Sequence, residues 1–135
     1  MKFIDTNILV YFVDRRDSVK QQISRTIISD AFHNGGYAIS SQVLNEFSNI
    51  ALKKLELSED EVAAFVRIFR RFAFIYPEID WTERALKVRE RYKLQFYDSL
   101  LLVAAESGGC DVLLSEDLSD GQVYGVVKVV NPYVR

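Results

Sequence analysis

The chain has one histidine, His33, and one cysteine, Cys110, among 135 residues. A single cysteine forms no intrachain disulfide, and a His/Cys zinc cluster has no ligands to draw on. A nucleophile–histidine triad would have to run through His33 alone. No apolar run approaches the roughly 20 residues of a membrane span. Met1-Lys2-Phe3-Ile4-Asp5 carries charge where a secretory signal needs a long apolar stretch. The expectation is a cytoplasmic protein without a membrane partner. What remains for chemistry is carboxylate, of which there are 19.

A chain of this length points to one domain, residues 1–135, large enough to bury about two-thirds of its unfolded surface. Composition is that of an ordinary soluble globule, 49% hydrophobic and 27% charged. The net charge of −2 gives no overall attraction to nucleic acid, but charge is unevenly spread. Residues 67–93 hold eight Lys/Arg against four acids, and residues 94–135 hold two against six. Solvated helix faces account for such an imbalance as readily as a binding surface does.

Lys2-Phe3-Ile4 reads as a short strand running into the capping cluster Asp5-Thr6-Asn7, with a short helix over 8–13. Residues 18–34 form an amphipathic helix, with Val19, Ile23, Ile27 and Ala31 at helical spacing and Gly35-Gly36 as its stop. Residues 37–40 are a strand, and 41–55 a helix with an apolar stripe through Val43, Leu44, Phe47, Ile50 and Ala51. Ser58-Glu59-Asp60-Glu61 is a capping-box pattern that opens a helix to about Ala73. A strand at 74–76 closes at Pro77. Helices follow at 80–93 and 97–107, the second nearly all apolar and so buried. Strands at 112–114 and 126–130 flank a polar loop at 116–121. Helices alternate with short, continuously apolar strands. This predicts an α/β fold, a short parallel β-sheet flanked by helices on both faces.

In such a sheet, ligand sites lie beyond the C-terminal strand ends. Asp5 and Asp117 sit there by sequence. Asp98 opens the most apolar helix, where a carboxylate is costly unless something satisfies it. Glu46 lies at the edge of an apolar stripe. Each acid has a plain structural explanation as a cap, a turn residue or a solvated helix position. Convergence of several, with no Lys or His between them, would need a cation to offset their repulsion. Oxygen-only ligands suit Mg²⁺ or Mn²⁺. Two such ions about 3.5–4 Å apart clamp the oxygens of a phosphodiester and activate water without a histidine. They would also carry the net charge from −2 to about +2.

Four segments together resemble the PIN-domain ribonucleases, in particular the toxins of VapBC-type toxin–antitoxin pairs. They are Phe3-Ile4-Asp5-Thr6-Asn7, the stretch from Ser41 to Phe47 around Glu46, Tyr97-Asp98-Ser99-Leu100-Leu101, and Leu113-Leu114-Ser115-Glu116-Asp117. The resemblance covers essentially the whole chain. It implies a Mg²⁺ or Mn²⁺ site with Asp5, Glu46, Asp98 and Asp117 as catalytic metal or metal-water ligands. Asn7, Ser115 and Asp120 are candidates for the outer shell, and either Asp117 or Asp120 can supply the fourth acid. It further implies endonucleolytic cleavage of RNA to 5′-phosphate and 3′-hydroxyl ends, a cognate antitoxin protein and a homodimer.

Basic groups should rim the acidic floor, and Lys53, Lys54, Arg67, Arg70 and Arg71 are the candidates for RNA contact. The apolar stretch 8–13 suits an interface or the core equally. Two other readings stand beside the nuclease. One is a PIN-fold module that binds nucleic acid or protein without catalysis. The other is a receiver-like phosphoacceptor, which lacks its paired acids here, because Asp5 is followed by Thr6-Asn7.

Overall fold

Phe3 and Ile4 are fully buried, and they make Lys2–Ile4 the central strand, β1, of a six-stranded sheet. The computed structural model describes residues 1–134. In chain order, β1 is followed by α1 (Thr6–Val13), α2 (Ser18–Asn34), β2 (Tyr37–Ser40), α3 (Ser41–Lys53) and α4 (Glu59–Phe69). Then come β3 (Ala73–Ile75), α5 (Trp81–Tyr92), α6 (Phe96–Ser107), β4 (Val112–Leu114), β5 (Val123–Tyr124) and β6 (Val127–Val130). A 3₁₀ turn, Pro132–Val134, ends the described chain.

The strand order is β3-β2-β1-β4-β6-β5. Phe3 lies opposite Ala38 on one side and Leu113 on the other, both in parallel register. The chain therefore winds one way from β1 to β2 and β3, then returns to place β4 on β1's free edge. That reversal between β1 and β4 is the topological switch point, where parallel α/β sheets open a crevice beyond their strand ends. All four residues of β2 are buried, as a strand covered on both faces should be.

Local chemistry sets the helix ends. The Asp5 side chain caps α1 by accepting from the Thr6 amide at 2.6 Å. Asp17 caps α2, which stops at Gly35 with φ 69°, a value glycine adopts without strain. Ser58 and Glu61 form the capping box expected from their spacing. A phenylalanine cluster holds α3 and α4 together and joins them to α1. Phe69 meets Phe47 and Phe12 edge-on at 5.0 and 5.7 Å. Such pairs contribute about 0.5–1.5 kcal/mol each beyond their buried area. Ile8 and Leu9 are fully buried, so the 8–13 stretch belongs largely to the core.

One boundary expected from the sequence needs correction, and the sheet has one strand the sequence did not signal. Helix α4 ends at Phe69 rather than near Ala73, and Ala73 already pairs in β3. Phe72 is the reason: it turns inward, buried, and stacks against Phe69 and Phe32. Burial of that ring outweighs continuation of a helix that has no stop signal at its C-terminal end. The sheet is parallel, as expected, apart from one edge. Val123–Tyr124 forms an antiparallel edge strand with β6, turning through Gly125 at φ 62°. Tyr124 is anchored there by an edge-on contact with Tyr92 at 5.0 Å. Among the described residues no helix is long and apolar enough to cross a membrane.

Candidate active site

Asp5 follows directly on β1 at the switch point, and its backbone amide donates to Leu114 at the end of β4. Its side chain is 2% exposed. One carboxylate oxygen accepts from the Thr6 amide and the other from Ser115 Oγ, both at 2.6 Å. Burial pushes this carboxyl from its ordinary 3.8 up to about 7. The Ser115 and Thr6 hydrogen bonds pull it back down, and the negative charges of Asp117 and Glu46 raise it again.

Glu46 reaches the same place from α3. Thr6 Oγ1 donates to one of its oxygens at 3.0 Å, and Gln42, one turn earlier, donates to the other at 2.8 Å. Asp98, in the first turn of α6, is half-buried, and burial, then Asp117 and Glu46, raises its carboxyl too. Among the described residues Asp98 has neither a side-chain hydrogen bond nor an ion pair. Asp117 is the most exposed of the four. Asn7 Nδ2 donates to its carboxylate at 3.2 Å, and its amide donates to Ser115 Oγ at 3.1 Å. Ser115 thereby links two acids, donating to Asp5 while accepting from Asp117.

These four acids line a single cavity of about 300 Å³. Among the described residues none of them pairs with a Lys or Arg. Two cations stand at the rim, Arg16 and Lys54. Arg16 is committed to Asp14, with two contacts of 2.9 and 2.8 Å. Lys54 has no acid partner among the described residues. Asn7 Oδ1, buried at the same cavity, lacks a hydrogen-bond partner among the described residues. Like charges gathered around a buried carboxylate, an oxygen-only donor set and an orphaned acceptor suit a hard divalent cation such as Mg²⁺ or Mn²⁺. Among the described residues, however, no three acids stand close enough together to hold one ion. The acids share a cavity rather than a point.

A clamp holds Glu116, the residue before Asp117. Glu116 accepts from Tyr11 Oη at 2.6 Å and from Lys20 Nζ at 2.9 Å. Lys20 lies over the Tyr11 and Tyr133 rings, and Tyr133 is tied to Ser24 at 2.7 Å. The clamp raises the Lys20 ammonium well above its usual value, Glu116 being the main cause. It joins α1, α2 and the chain end to the segment bearing the fourth acid.

The remaining sequence candidates disperse. Asp120 accepts from the Asn131 backbone amide at 2.8 Å and does not line the acid cavity, so Asp117 is the acid that joins the other three. Of the basic candidates only Lys54 reaches the cavity. Lys53 is exposed on α3, and Arg67 and Arg70 line a separate depression between α3 and α4. Arg71 lies over the Phe32 ring at 4.5 Å. His33 contacts the Ser29 carbonyl within its own helix end, and Cys110 is buried. Thr6, Gln42 and Tyr97 are site residues the sequence reading passed over. Gln42–Glu46 was accessible as an i,i+4 pair, whereas the Thr6–Glu46 contact spans 40 residues and carries no local signal.

The PIN-domain family profile matches residues 2–119. No curated protein sequence matches. Among solved structures, a toxin–antitoxin complex from Klebsiella pneumoniae is 24% identical, with 98% of both chains covered and a TM-score of 0.69. VapC20 of Mycobacterium tuberculosis, described as a sarcin–ricin-loop-cleaving toxin, is 14% identical, covering 87% of this chain and 90% of its own, with a TM-score of 0.71. VapBC2 from Rickettsia felis, bound to a promoter DNA fragment, is 18% identical, covering 95% and 96%, with a TM-score of 0.66. The structural likenesses establish the fold, and the profile match over most of the chain establishes that it belongs to the PIN-domain family.

Proposed function

We propose that this chain is a metal-dependent endoribonuclease and the toxin of a toxin–antitoxin pair. One observation carries the reading: Asp5, Glu46, Asp98 and Asp117, from four separate segments, line one cavity, and among the described residues none has a paired cation. Two of them have carboxyls raised by burial and by the other acids. Uncompensated like charge is costly to fold around and is retained where a cation or a reaction makes use of it.

In this reading the four acids hold Mg²⁺ or Mn²⁺. A bound ion of this kind supplies a water of lowered pKa and stabilises charge on phosphodiester oxygens. The chain's own residues orient the acids. Thr6 fixes Glu46 through its hydroxyl and Asp5 through its amide. Ser115 holds Asp5 and Asp117 in register, and Asn7 steadies Asp117. Lys54 at the rim attracts the phosphate backbone.

RNA as substrate is supported by the cleavage described for VapC20, and a cognate antitoxin by the complexes from Klebsiella pneumoniae and Rickettsia felis. A homodimer belongs to the same reading. The test is cleavage of single-stranded and looped RNA by the chain freed of partners. Activity should require Mg²⁺ or Mn²⁺, stop in chelator, and fall at least 100-fold in Asp98→Asn. No cleavage of any RNA pool with either ion would refute it.

One observation favours a second reading, a PIN module that binds without cleaving: no three acids among the described residues gather at one point. Calorimetric titration with Mn²⁺ separates the two. The nuclease binds the ion and loses affinity in Asp98→Asn, whereas the inactive module gives no heat of binding.

A further inference from the structure

A second cavity, of about 440 Å³, adjoins the acid cavity and shares Asp98 and Asp117 with it as a common wall. Its far side is built by the end of α5 and by Tyr124 of the edge strand. It carries two cations, Arg89 and Lys93, with Gln95 and Ser119 as neutral polar groups. We propose that this cavity is a subsite for a backbone phosphate of a single-stranded RNA, with Arg89 and Lys93 as its anion-binding groups.

The cations of this protein differ in how they are committed. Arg16 is bound to Asp14, Lys20 to Glu116 and Arg84 to Glu106. Arg91 lies over the Tyr92 ring at 5.2 Å. Arg89 and Lys93 have no ion pair among the described residues, although acids form the adjoining wall. Lys93 closes α5 in the left-handed conformation, φ 57°, where glycine is the usual occupant. A lysine is held there at a conformational cost that the helix end does not require.

A phosphate beside Asp98 and Asp117 meets repulsion, and two unpaired cations at the same cavity offset it. Lys54 stands at the acid cavity in its own right. An RNA strand that reaches from Lys54 in one cavity to Lys93 in the other passes the two acids they share, Asp98 and Asp117. This path replaces the α4 residues Arg67 and Arg70, which face another depression.

The inference rests on the nuclease reading for its substrate, so the test separates the two. RNA binding is measured by anisotropy on a labelled single-stranded octanucleotide. The measurement uses an Asp5→Asn background, since Asp5 does not line this cavity. Arg89→Gln with Lys93→Gln should weaken binding at least 10-fold at low salt. The slope of log affinity against log salt should flatten by about 1.4, two contacts at roughly 0.7 each for a single strand. Arg67→Gln with Arg70→Gln should change neither quantity. Inorganic phosphate at millimolar concentration should not compete, which distinguishes a strand from a free anion.

In the active chain the Arg89/Lys93 pair should raise KM with kcat within twofold, and Arg89→Lys with Lys93→Arg should restore it. Lys93→Gly, which suits the backbone, should weaken binding while leaving thermal stability unreduced. An unchanged salt slope, or an equal loss from the Arg67/Arg70 pair, overturns the subsite. A wild-type chain that cleaves nothing would refute the nuclease reading alone, because the binding arm still decides the subsite.

Discussion

Asp5→Asn should stabilise the metal-free protein at neutral pH while abolishing its activity. The folded carboxyl takes up its proton at about 7, against an ordinary 3.8. Below 3.8 the group is protonated in both states and costs nothing. Between 3.8 and about 7 the unfolded chain releases the proton and the folded chain keeps it, so stability falls as pH rises. A shift of this size corresponds to about 4 kcal/mol at pH 8, as an order of magnitude. The amide has no charge to bury. It fits the Thr6 amide through its oxygen but turns an acceptor toward Ser115 into a donor, costing about 1–1.5 kcal/mol. The net gain should be near zero at pH 5 and about 2–3 kcal/mol at pH 8. Urea unfolding in chelator at pH 5, 6, 7 and 8 measures it. Adding Mn²⁺ should stabilise the wild type and not the variant. A variant less stable than wild type at pH 8, or a difference independent of pH, would refute the reasoning.

Three further outcomes follow from particular contacts. Lys20→Met breaks the clamp on Glu116; it should cost about 1 kcal/mol in urea unfolding, given a partly exposed pair, and weaken Mn²⁺ binding severalfold in calorimetry, with recovery in Lys20→Arg. Phe69→Ala removes the ring shared by Phe47, Phe12 and Phe72, and should lower unfolding free energy by about 3–5 kcal/mol in urea. Ser58→Ala removes the capping box of α4 and should cost about 1 kcal/mol, with cleavage per folded molecule unchanged.

Much of this architecture was legible because short apolar strands and capped helices leave local marks. Asp5 could be placed beyond the first strand because Lys2-Phe3-Ile4 runs straight into a capping cluster. Asp117 also follows a strand, which made convergence with Asp5 plausible, and the pairing of β1 with β4 is what brings the two together. The convergence of Glu46 and Asp98 on that crevice had only the family resemblance behind it, since neither helix's rotation is fixed by periodicity to one residue. The inward turn of Phe72 and the hairpin at Gly125 escaped notice because each depends on a distant partner, Phe32 in one case and Tyr92 in the other. The placement of the basic candidates was not legible for a similar reason. Arg67 and Arg70 follow the Glu46 helix in sequence, but α4 turns them toward another depression. Arg89 and Lys93 arrive from a helix that sequence distance does not connect to the acids.

The most direct measurement is anomalous diffraction from crystals of the partner-free chain grown with Mn²⁺. The account predicts one or two manganese peaks within the cavity bounded by Asp5, Glu46, Asp98 and Asp117, lost in Asp98→Asn crystals. Millimolar Mn²⁺ with no peak in that cavity, or peaks only at other surface acids, would contradict it.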